Sequence, residues 1–449
     1  MAVPFDSITS IKGSDDMSQE AIPYWTDDYL TEDQVAAYLK DKDLYPQDAE
    51  LVVEDLHAIK ESIDGYVNLI YHIYDQNGKS MVLKQIVGEP RSKMDEAAGS
   101  KNSKYMHDWS LDIGRLRSEI SVLIFWDSVY PGICPKIYLF DEPRGIIVME
   151  DLTDHSLLRY EHCRMKEHPE FPEKIGRFMA RNLFYSSDLH LTRYKKQELE
   201  KFFENPEYTA LDFFLFADCT IVSDNRYMPE ATWPLRKAII ENEKIQGMIR
   251  QMRHQFLTDK ECLIHTDLHA SNIMINDQSM KIIDTEFAGF GPIAQDWGRL
   301  IASFCLNFFS WYGDHDHTEG EKAVFRAYLL DAINTMYQCF EEEFRALCSK
   351  NRSDSYRLRS LDVDAYLLSH FQDTLLYTAL NAASRIGDRG ICYDLERLKT
   401  PDRIYPEQLV LLMTIELFLN RGAYRKITDL TDYLRGMAGK HPAEAFKEA

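Results

Sequence analysis

The chain has 449 residues, of which 45% are hydrophobic and 28% are charged, with a formal net charge of −22. This length suits two domains with more than one hydrophobic core, and the composition excludes a disordered or fibrous chain. The acidic balance argues against binding to nucleic acid or to anionic membrane surfaces, because both depend on a basic protein surface.

The sequence predicts neither export nor membrane insertion. The N-terminus lacks the basic and apolar regions of a signal peptide, and the longest apolar runs are about a dozen residues, too short to span a bilayer. The eight cysteines include no C-x-x-C pair and no zinc-like spacing, which is typical of reduced thiols. We therefore expect a soluble, cytoplasmic protein.

The first predicted element is a short helix. Residues 1–30 are polar, and we expect them to be loosely ordered. Thr31 then stands three places before Gln34, the spacing of a capping box, and Val35 and Leu39 follow at helical spacing. The pattern predicts a helix that begins after Thr31.

From Ser62 the pattern indicates a β-hairpin that turns at Asn77-Gly78. Lys84 lies in the second strand and shares a face with Val82 and Ile86. Its aliphatic stem can therefore cover apolar surface while its amine reaches a cleft.

Residues 88–109 are charged and small without periodicity, which favours a long loop or lid. A helix that carries Glu119 is predicted from about Asp112. Two strand-like runs follow, at 135–141 and 144–151, separated by a turn. Four or five strands and one internal helix are thus expected before the chain reaches its second half.

After residue 151 the hydrophobic period is mostly helical, apart from short β-like pieces within residues 262–287. We predict an α+β, two-lobed fold. Residues 31–150 form an antiparallel β-sheet N-lobe, and residues 151–449 form a mostly helical C-lobe.

A polar constellation interrupts the β-like stretch of the second lobe. His265, Asp267 and Asn272 form the pattern H-x-D-x-x-x-x-N, and Asp284 follows twelve residues later. Phosphoryl transfer from ATP needs a carboxylate that aligns the acceptor hydroxyl, together with magnesium held by hard oxygen ligands. Asp284 and Asn272 supply such oxygens, which leaves Asp267 to accept the hydroxyl proton.

Two residues of the first lobe complete this chemistry. Lys84 on a strand is placed to hold the α- and β-phosphates, and Glu119 on the next helix is placed to pair with it. The chain order of lysine, glutamate, H-x-D loop and metal aspartate is the order that a kinase needs. Taken singly, each residue has a structural explanation, but together they favour a kinase. In this interpretation the N-lobe (31–150) binds the nucleotide, and the C-lobe (151–449) carries the catalytic loop, the metal site and the substrate pocket.

Glycine-rich phosphate binding is not indicated, because Gly65 is the only glycine in its strand region. We expect only that backbone amides between Gly65 and Asn68 cover the phosphates. The segment VMEDL is a candidate adenine hinge through main-chain groups of Glu150 and Leu152; the alternative is a plain linker.

With these residues in view, the sequence resembles the aminoglycoside phosphotransferase and choline kinase superfamily and, within it, the methylthioribose kinases. The H-x-D-L-H segment, the D-x-E pair at 284–286 and the blocks FAGFGPIAQDWG, IVMEDLTDHSLLR, IGRFMARNLFYSSDL, ENPEYTALDFF and HFQDTL carry this resemblance. Together they extend from about Leu51 to Arg421, most of the chain.

The resemblance implies a protein-kinase-like fold and an ATP- and Mg²⁺-dependent enzyme that phosphorylates the C1 hydroxyl of 5-methylthioribose in methionine salvage, as a homodimer. Carried over by position, the implied roles are base for Asp267, metal ligands for Asp284 and Glu286, phosphate contact for Lys84, and hinge for Glu150 and Leu152.

The sequence departs from the family pattern near the expected substrate site. The family usually carries paired arginines after its QDTL helix, whereas this chain has Ser384-Arg385, and Asn272 stands where the family usually has serine. The 88–109 loop is also longer than usual. Arg385 and Arg389 are candidate substrate residues; Arg389 either compensates for the missing arginine or is a surface residue. His269 remains unassigned.

Three other interpretations stay open. A kinase of the same superfamily that acts on another sugar, an aminoglycoside or a choline-like metabolite has the same fold. A pseudokinase is disfavoured because Lys84, Asp267 and Asp284 are all present. A protein kinase is disfavoured because the D-F-G and A-P-E motifs are absent.

Overall fold

The computed structural model describes residues 29–56, 68–86, 115–208, 211–212, 215–216, 229–353, 355–386 and 392–437. The predicted lid at 88–109, Gly65, Arg389 and the first 28 residues lie outside these ranges. The chain divides into two compact units. The strand-rich unit comprises residues up to Ser156 with 205–207 and 281–286, and the helical unit comprises residues 157–204, 208–280 and those from 287 onward.

The strand-rich unit contains an antiparallel five-stranded sheet, in agreement with the predicted α+β fold. Its elements are α1 (Glu32–Asp41), β1 (Leu51–Asp55), β2 (Leu69–Asp75), β3 (Ser80–Gln85), α2 (Arg115–Val129), β4 (Ile137–Asp141) and β5 (Ile146–Met149), with strand order β1-β2-β3-β5-β4. Strand β1 was not predicted, because LVVED is only partly buried and shows no clean alternation.

The hairpin between β2 and β3 confirms the predicted turn. Gly78 adopts a φ of +81°, a left-handed conformation that glycine tolerates without strain. Asp75 Oδ1 accepts hydrogen bonds from the backbone N–H groups of Asn77 and Lys79, each at 2.9 Å. The turn therefore fixes the register that places Lys84 opposite Ile70.

The sheet buries both faces, and its alternation decides where Lys84 points. Ile146 and Val148 belong to the core cluster under helix α1, whereas Ile147 packs with Ile86 and with residues of helix α2. Lys84 pairs with Ile147 across the sheet. Since paired residues share a face, Lys84 points toward the side that α2 covers.

The remaining elements are mostly helical. They are β6 (Ser156–Leu157), α3 (Leu158–Cys163), α4 (Phe171–Ser186), α5 (Arg193–Phe202), α6 (Trp233–Glu241), α7 (Glu243–Thr258), β7 (Cys262–Ile264), β8 (Ile273–Ile275), β9 (Met280–Ile282), β10 (Gly289–Gly291), α8 (Ile293–Ser310), α9 (Glu319–Lys350), α10 (Tyr356–Ser360), α11 (Val363–Ala383), α12 (Tyr393–Glu396), α13 (Thr400–Asn420) and α14 (Ile427–Gly436). None of the described helices is both long and apolar enough to cross a membrane.

One continuous apolar run contains two helices. The apolar period of residues 234–252 continues without a break, but Asn242 separates α6 from α7. Its side chain accepts hydrogen bonds from the backbone N–H groups of Lys244 and Ile245, at 3.0 and 3.2 Å. Asn242 therefore caps the second helix, a local bond that the hydrophobic period does not reveal.

Helices α8 and α11 approach each other closely at Gly298. A Cβ atom at this position would lie 2.3 Å from the Cβ of Tyr377, a distance that real side chains do not allow. The glycine thus lets α8 run directly against α11, which places Arg299 and Asn381 side by side.

The segment 281–286 belongs by its contacts to the strand-rich unit, whereas the sequence boundaries placed it in the helical lobe. The backbone N–H of Ile282 donates to Ile133 O at 2.8 Å, and Lys281 Nζ lies 3.1 Å from Glu150 Oε2. These bonds join residues far apart in sequence, so periodicity along the chain does not predict them.

Candidate active site

The loop between β7 and β8 carries the H-x-D pattern and is tied to helix α8. Asp296 accepts hydrogen bonds from the backbone N–H groups of His265 and Thr266, at 2.7 and 2.8 Å. Gln295 Nε2 donates to Thr266 O at 2.8 Å. Thr266 itself has a φ of +72°, an uncommon conformation for threonine. The first turn of α8 thus holds a strained backbone next to Asp267.

Asp267 is bound by an arginine that the sequence pattern did not indicate. Arg299 Nε donates to Asp267 Oδ1 at 2.8 Å, and Arg299 Nη2 donates to the same oxygen. Burial alone would raise the pKa of Asp267, but Arg299, His269 and Arg385 hold it well below its usual range. Asp267 is therefore a stable carboxylate that accepts hydrogen bonds.

His269 is a neutral hydrogen-bond donor to the other oxygen of Asp267. Its Nδ1 accepts the backbone N–H of Ser271 at 3.1 Å, so the proton of the neutral ring lies on Nε2. Nε2 is 3.3 Å from Asp267 Oδ2. Burial lowers the pKa of His269 to about 4, although the Asp267 carboxylate opposes the shift.

Asn272 closes the same loop. Its Nδ2 donates to the backbone carbonyl of Asp267 at 2.8 Å, and its side chain is largely buried. The amide nitrogen is thus used to shape the loop, which leaves Oδ1 as the only side-chain atom able to bind a cation.

Positive charge accumulates around Asp267. Arg385 at the end of α11 is half-buried, and neighbouring Arg299, followed by burial, lowers its pKa to about 10. Arg159 in α3 also acts on Arg385, and its Nε lies 3.2 Å from Asp394 Oδ2. Among the residues that the structure describes, no carboxylate forms a salt bridge with Arg385. Its environment therefore favours an additional anion.

In the strand-rich unit, Lys84 is placed between two carboxylates. Its Nζ lies 2.9 and 3.0 Å from the two oxygens of Glu119 and 2.9 Å from Asp284 Oδ1. Burial alone would lower the pKa of Lys84, but Asp284 and Glu119 outweigh it and raise the pKa. The amine is therefore charged and fixed.

Asp284 is the exposed member of this group. Its side chain is 39% exposed, compared with 2% for Glu119. Its φ is +62°, and the hydroxyl of neighbouring Thr285 donates to the backbone carbonyl of Glu119 at 3.2 Å. The segment is thus anchored to helix α2 while the Asp284 carboxylate remains accessible to solvent.

Glu286 is buried and already contacts neighbouring polar side chains. Its Oε2 accepts from Asn68 Nδ2 at 3.1 Å and lies 3.4 Å from Arg115 Nε, and its side chain is 1% exposed. Arg115 Nη2 also donates to Asn68 Oδ1 at 2.8 Å. The side chain of Asn68 therefore supports Glu286, an arrangement that the sequence pattern did not indicate.

At the candidate hinge, Glu150 and Leu152 each have one main-chain group that already forms a hydrogen bond. Glu150 N donates to Lys136 O at 2.8 Å, and Leu152 O accepts from His155 N at 2.9 Å. Glu150 O and Leu152 N make no main-chain bond outside the helices and strands of the described chain. This pair presents one acceptor and one donor, which suits the edge of a purine base.

The structure thus brings the site residues together in two sets. The strand-rich unit unites Asn68, Lys84, Glu119, Asp284 and Glu286, and the helical unit unites Asp267, Asn272 and Arg385. Sequence reasoning missed Arg299, Arg159 and Arg115, and it left His269 unassigned. Arg159 ends the block IVMEDLTDHSLLR and Arg299 directly follows the block FAGFGPIAQDWG, but neither position indicates its partner in the fold. For His269, its place two residues after Asp267 was the available signal.

Comparison with known proteins agrees with this chemistry. The chain is 28% identical to a methylthioribose kinase of Bacillus velezensis, over 90% of this chain and 96% of that protein. It is 30% identical to a methylthioribose kinase of Cronobacter sakazakii, over 67% of this chain and 73% of that protein. Among solved structures, a choline kinase from Cryptosporidium parvum is 11% identical, with a TM-score of 0.42 over 89% of this chain and 98% of that one.

The sequence also matches the phosphotransferase enzyme family (APH) over residues 64–336, more than half of the chain. Together with the relatives above, this match makes the protein a kinase with an alcohol acceptor, for which ATP is the phosphoryl donor. The chain belongs to the phosphotransferase enzyme family.

Proposed function

We propose that the protein phosphorylates the C1 hydroxyl of 5-methylthioribose, or of a closely related 5-modified pentose, to the 1-phosphate in methionine salvage. The similarity to methylthioribose kinases over nine-tenths of the chain is the observation that carries this proposal. The carboxylate of Asp267, held in the H-x-D loop, supplies the chemistry.

In the nucleotide half of the reaction, Lys84 contacts the α- and β-phosphates, and Glu119 fixes its amine. The base hydrogen-bonds to Glu150 O and Leu152 N. Backbone amides between Gly65 and Asn68, of which only Asn68 lies within the described ranges, are the predicted cover of the phosphates. The bidentate contact between Lys84 and Glu119 supports this assignment, because it holds the amine in one position.

The carboxylates of Asp284 and Glu286, in the strand-rich unit, are of the donor type that magnesium binds, and Asn272, in the helical unit, is a further predicted ligand. Asp284 is exposed and carries a hard carboxylate oxygen, as Mg²⁺ requires. Glu286 Oε2 is engaged by Arg115 and Asn68, so Glu286 would bind the ion through Oε1. When bound, magnesium neutralises the charge of the phosphates.

On the acceptor side, Asp267 accepts the hydrogen of the sugar hydroxyl and aligns its oxygen for attack. Arg385, with its pKa lowered and no carboxylate partner among the described residues, contacts the transferred phosphoryl group. Arg389, outside the described ranges, is the second candidate for this contact. We further propose that the protein works in the cytoplasm as a homodimer.

The decisive test of the acceptor is ADP release by the purified protein with methylthioribose, 5-deoxyribose, ribose, choline and aminoglycosides. We expect methylthioribose to give the highest kcat/KM. If only choline or an aminoglycoside stimulates ADP release, the pentose assignment is wrong and the alternative acceptor class holds.

A further inference from the structure

The two oxygens of Asp267 are not equivalent in the structure. Oδ1 receives two donors from the Arg299 guanidinium, Nε at 2.8 Å and Nη2. A carboxylate oxygen has two lone pairs, so these bonds saturate Oδ1. Among the residues that the structure describes, Oδ2 receives only His269 Nε2, at 3.3 Å, and so retains one acceptor position.

Arg299 is itself fixed from the opposite side. Its Nη1 donates to Asn381 Oδ1 at 3.0 Å. Asn381 Nδ2 in turn donates to Tyr377 O at 2.8 Å and to Gln295 Oε1 at 3.2 Å. Because Gln295 also bonds the backbone of the Asp267 loop, helices α8 and α11 hold Arg299 and the loop in one hydrogen-bonded ring.

We propose that Arg299 is a positioning residue that occupies Oδ1 of Asp267 and thereby assigns the acceptor hydroxyl to Oδ2. This inference rests on the proposed role of Asp267. Arg299 is largely buried, with 11% of its side chain exposed, so its guanidinium has little freedom to leave the carboxylate. The two donors of the planar guanidinium fix the rotation of the Asp267 carboxylate and also stabilise its negative charge. An ammonium group would stabilise the charge without fixing the rotation.

Turnover should depend on the contact between the Arg299 guanidinium and Asp267 Oδ1. Without it the Asp267 carboxylate can rotate, and the hydroxyl loses its single alignment. A displacement of this kind costs about 100-fold in rate. We expect Arg299→Met to lower kcat about 100-fold and to leave the Kd for ATP within about twofold. Arg299→Lys restores the charge but not the fork, so we expect an intermediate kcat.

A matched control is available in the same unit. Arg253 also binds a carboxylate through its guanidinium group, but its Nε lies 2.8 and 2.9 Å from the two oxygens of Asp212 rather than on one oxygen alone, and its side chain is 57% exposed. We expect Arg253→Met to retain wild-type kcat. Asn381→Ala provides a second test if Arg299→Met fails to fold, because it releases Nη1 while keeping the fork; we expect its kcat to fall about tenfold.

A double-mutant cycle separates positioning from general structure. Arg299→Met in the Asp267→Asn background should lower kcat no further than Asp267→Asn alone, because both act through one carboxylate. Wild-type kcat in Arg299→Met, or fully additive losses in the double variant, would overturn the inference. Wild-type turnover in Asp267→Asn would instead overturn the proposed function.

Discussion

At the scale of single residues, the two acidic members of the D-x-E pair have different environments. Asp284 is exposed beside Lys84, whereas Glu286 is buried against Arg115 and Asn68. The same motif therefore supplies one accessible carboxylate and one that also holds the fold together. Their replacement should have separable effects.

We predict that Asp284→Asn lowers kcat by at least about 100-fold and raises the Mg²⁺ concentration needed for half-maximal activity, because it removes an accessible ligand charge. Glu286→Gln should have a smaller effect on Mg²⁺ dependence but should lower stability, since Arg115 loses its buried partner. Mg²⁺ titrations of ADP release and urea unfolding measure the two effects. Undiminished activity of the wild type in excess chelator would contradict the metal assignment.

At the scale of elements, the start of helix α8 is held by a partly buried ion pair. Glu261 Oε2 accepts the backbone N–H of Ile293 at 3.0 Å, and Glu261 Oε1 lies 2.8 Å from His370 Nε2 in α11. Burial alone would lower the pKa of His370, but Glu261 more than offsets it, so the pKa is raised. The pair links the two helices that carry Arg299 and Asn381.

This pair predicts a pH dependence of stability. A histidine with a raised folded-state pKa stabilises the fold fully below its unfolded pKa of about 6.5 and loses that contribution as pH rises through the folded value. We expect His370→Gln to cost about 1.5–3 kcal/mol at pH 6, the range for a hydrogen bond to a charged group, and less at pH 9. Urea unfolding of both proteins measures the difference. A cost that grows with pH would contradict the account.

The elements also show what the sequence can predict. Periodicity identified the hairpin with Gly78, helix α2 and the β pieces around Asp267, because these are local patterns. It did not identify the α6–α7 break at Asn242, which a side-chain cap determines. It also did not reveal Arg299. Arg299 and its partner Asp267 are 32 residues apart and come into contact only in the folded chain.

At the scale of the whole molecule, the −22 net charge and the local excess of arginine near Asp267 have opposite signs. The chain therefore concentrates cationic groups where an anion is expected and keeps the rest of its surface acidic on average. This distribution accords with a phosphotransferase acting on a small uncharged sugar, since the required positive charge is local.

The measurement that tests the central claim most directly is the turnover of Asp267→Asn with ATP, Mg²⁺ and methylthioribose, alongside the Kd for ATP. Loss of the carboxylate should lower kcat by at least about 1000-fold, within the range for removing an acid–base group, and change the ATP affinity less than about threefold. Wild-type ADP release by the variant would show that Asp267 does not serve the acceptor hydroxyl.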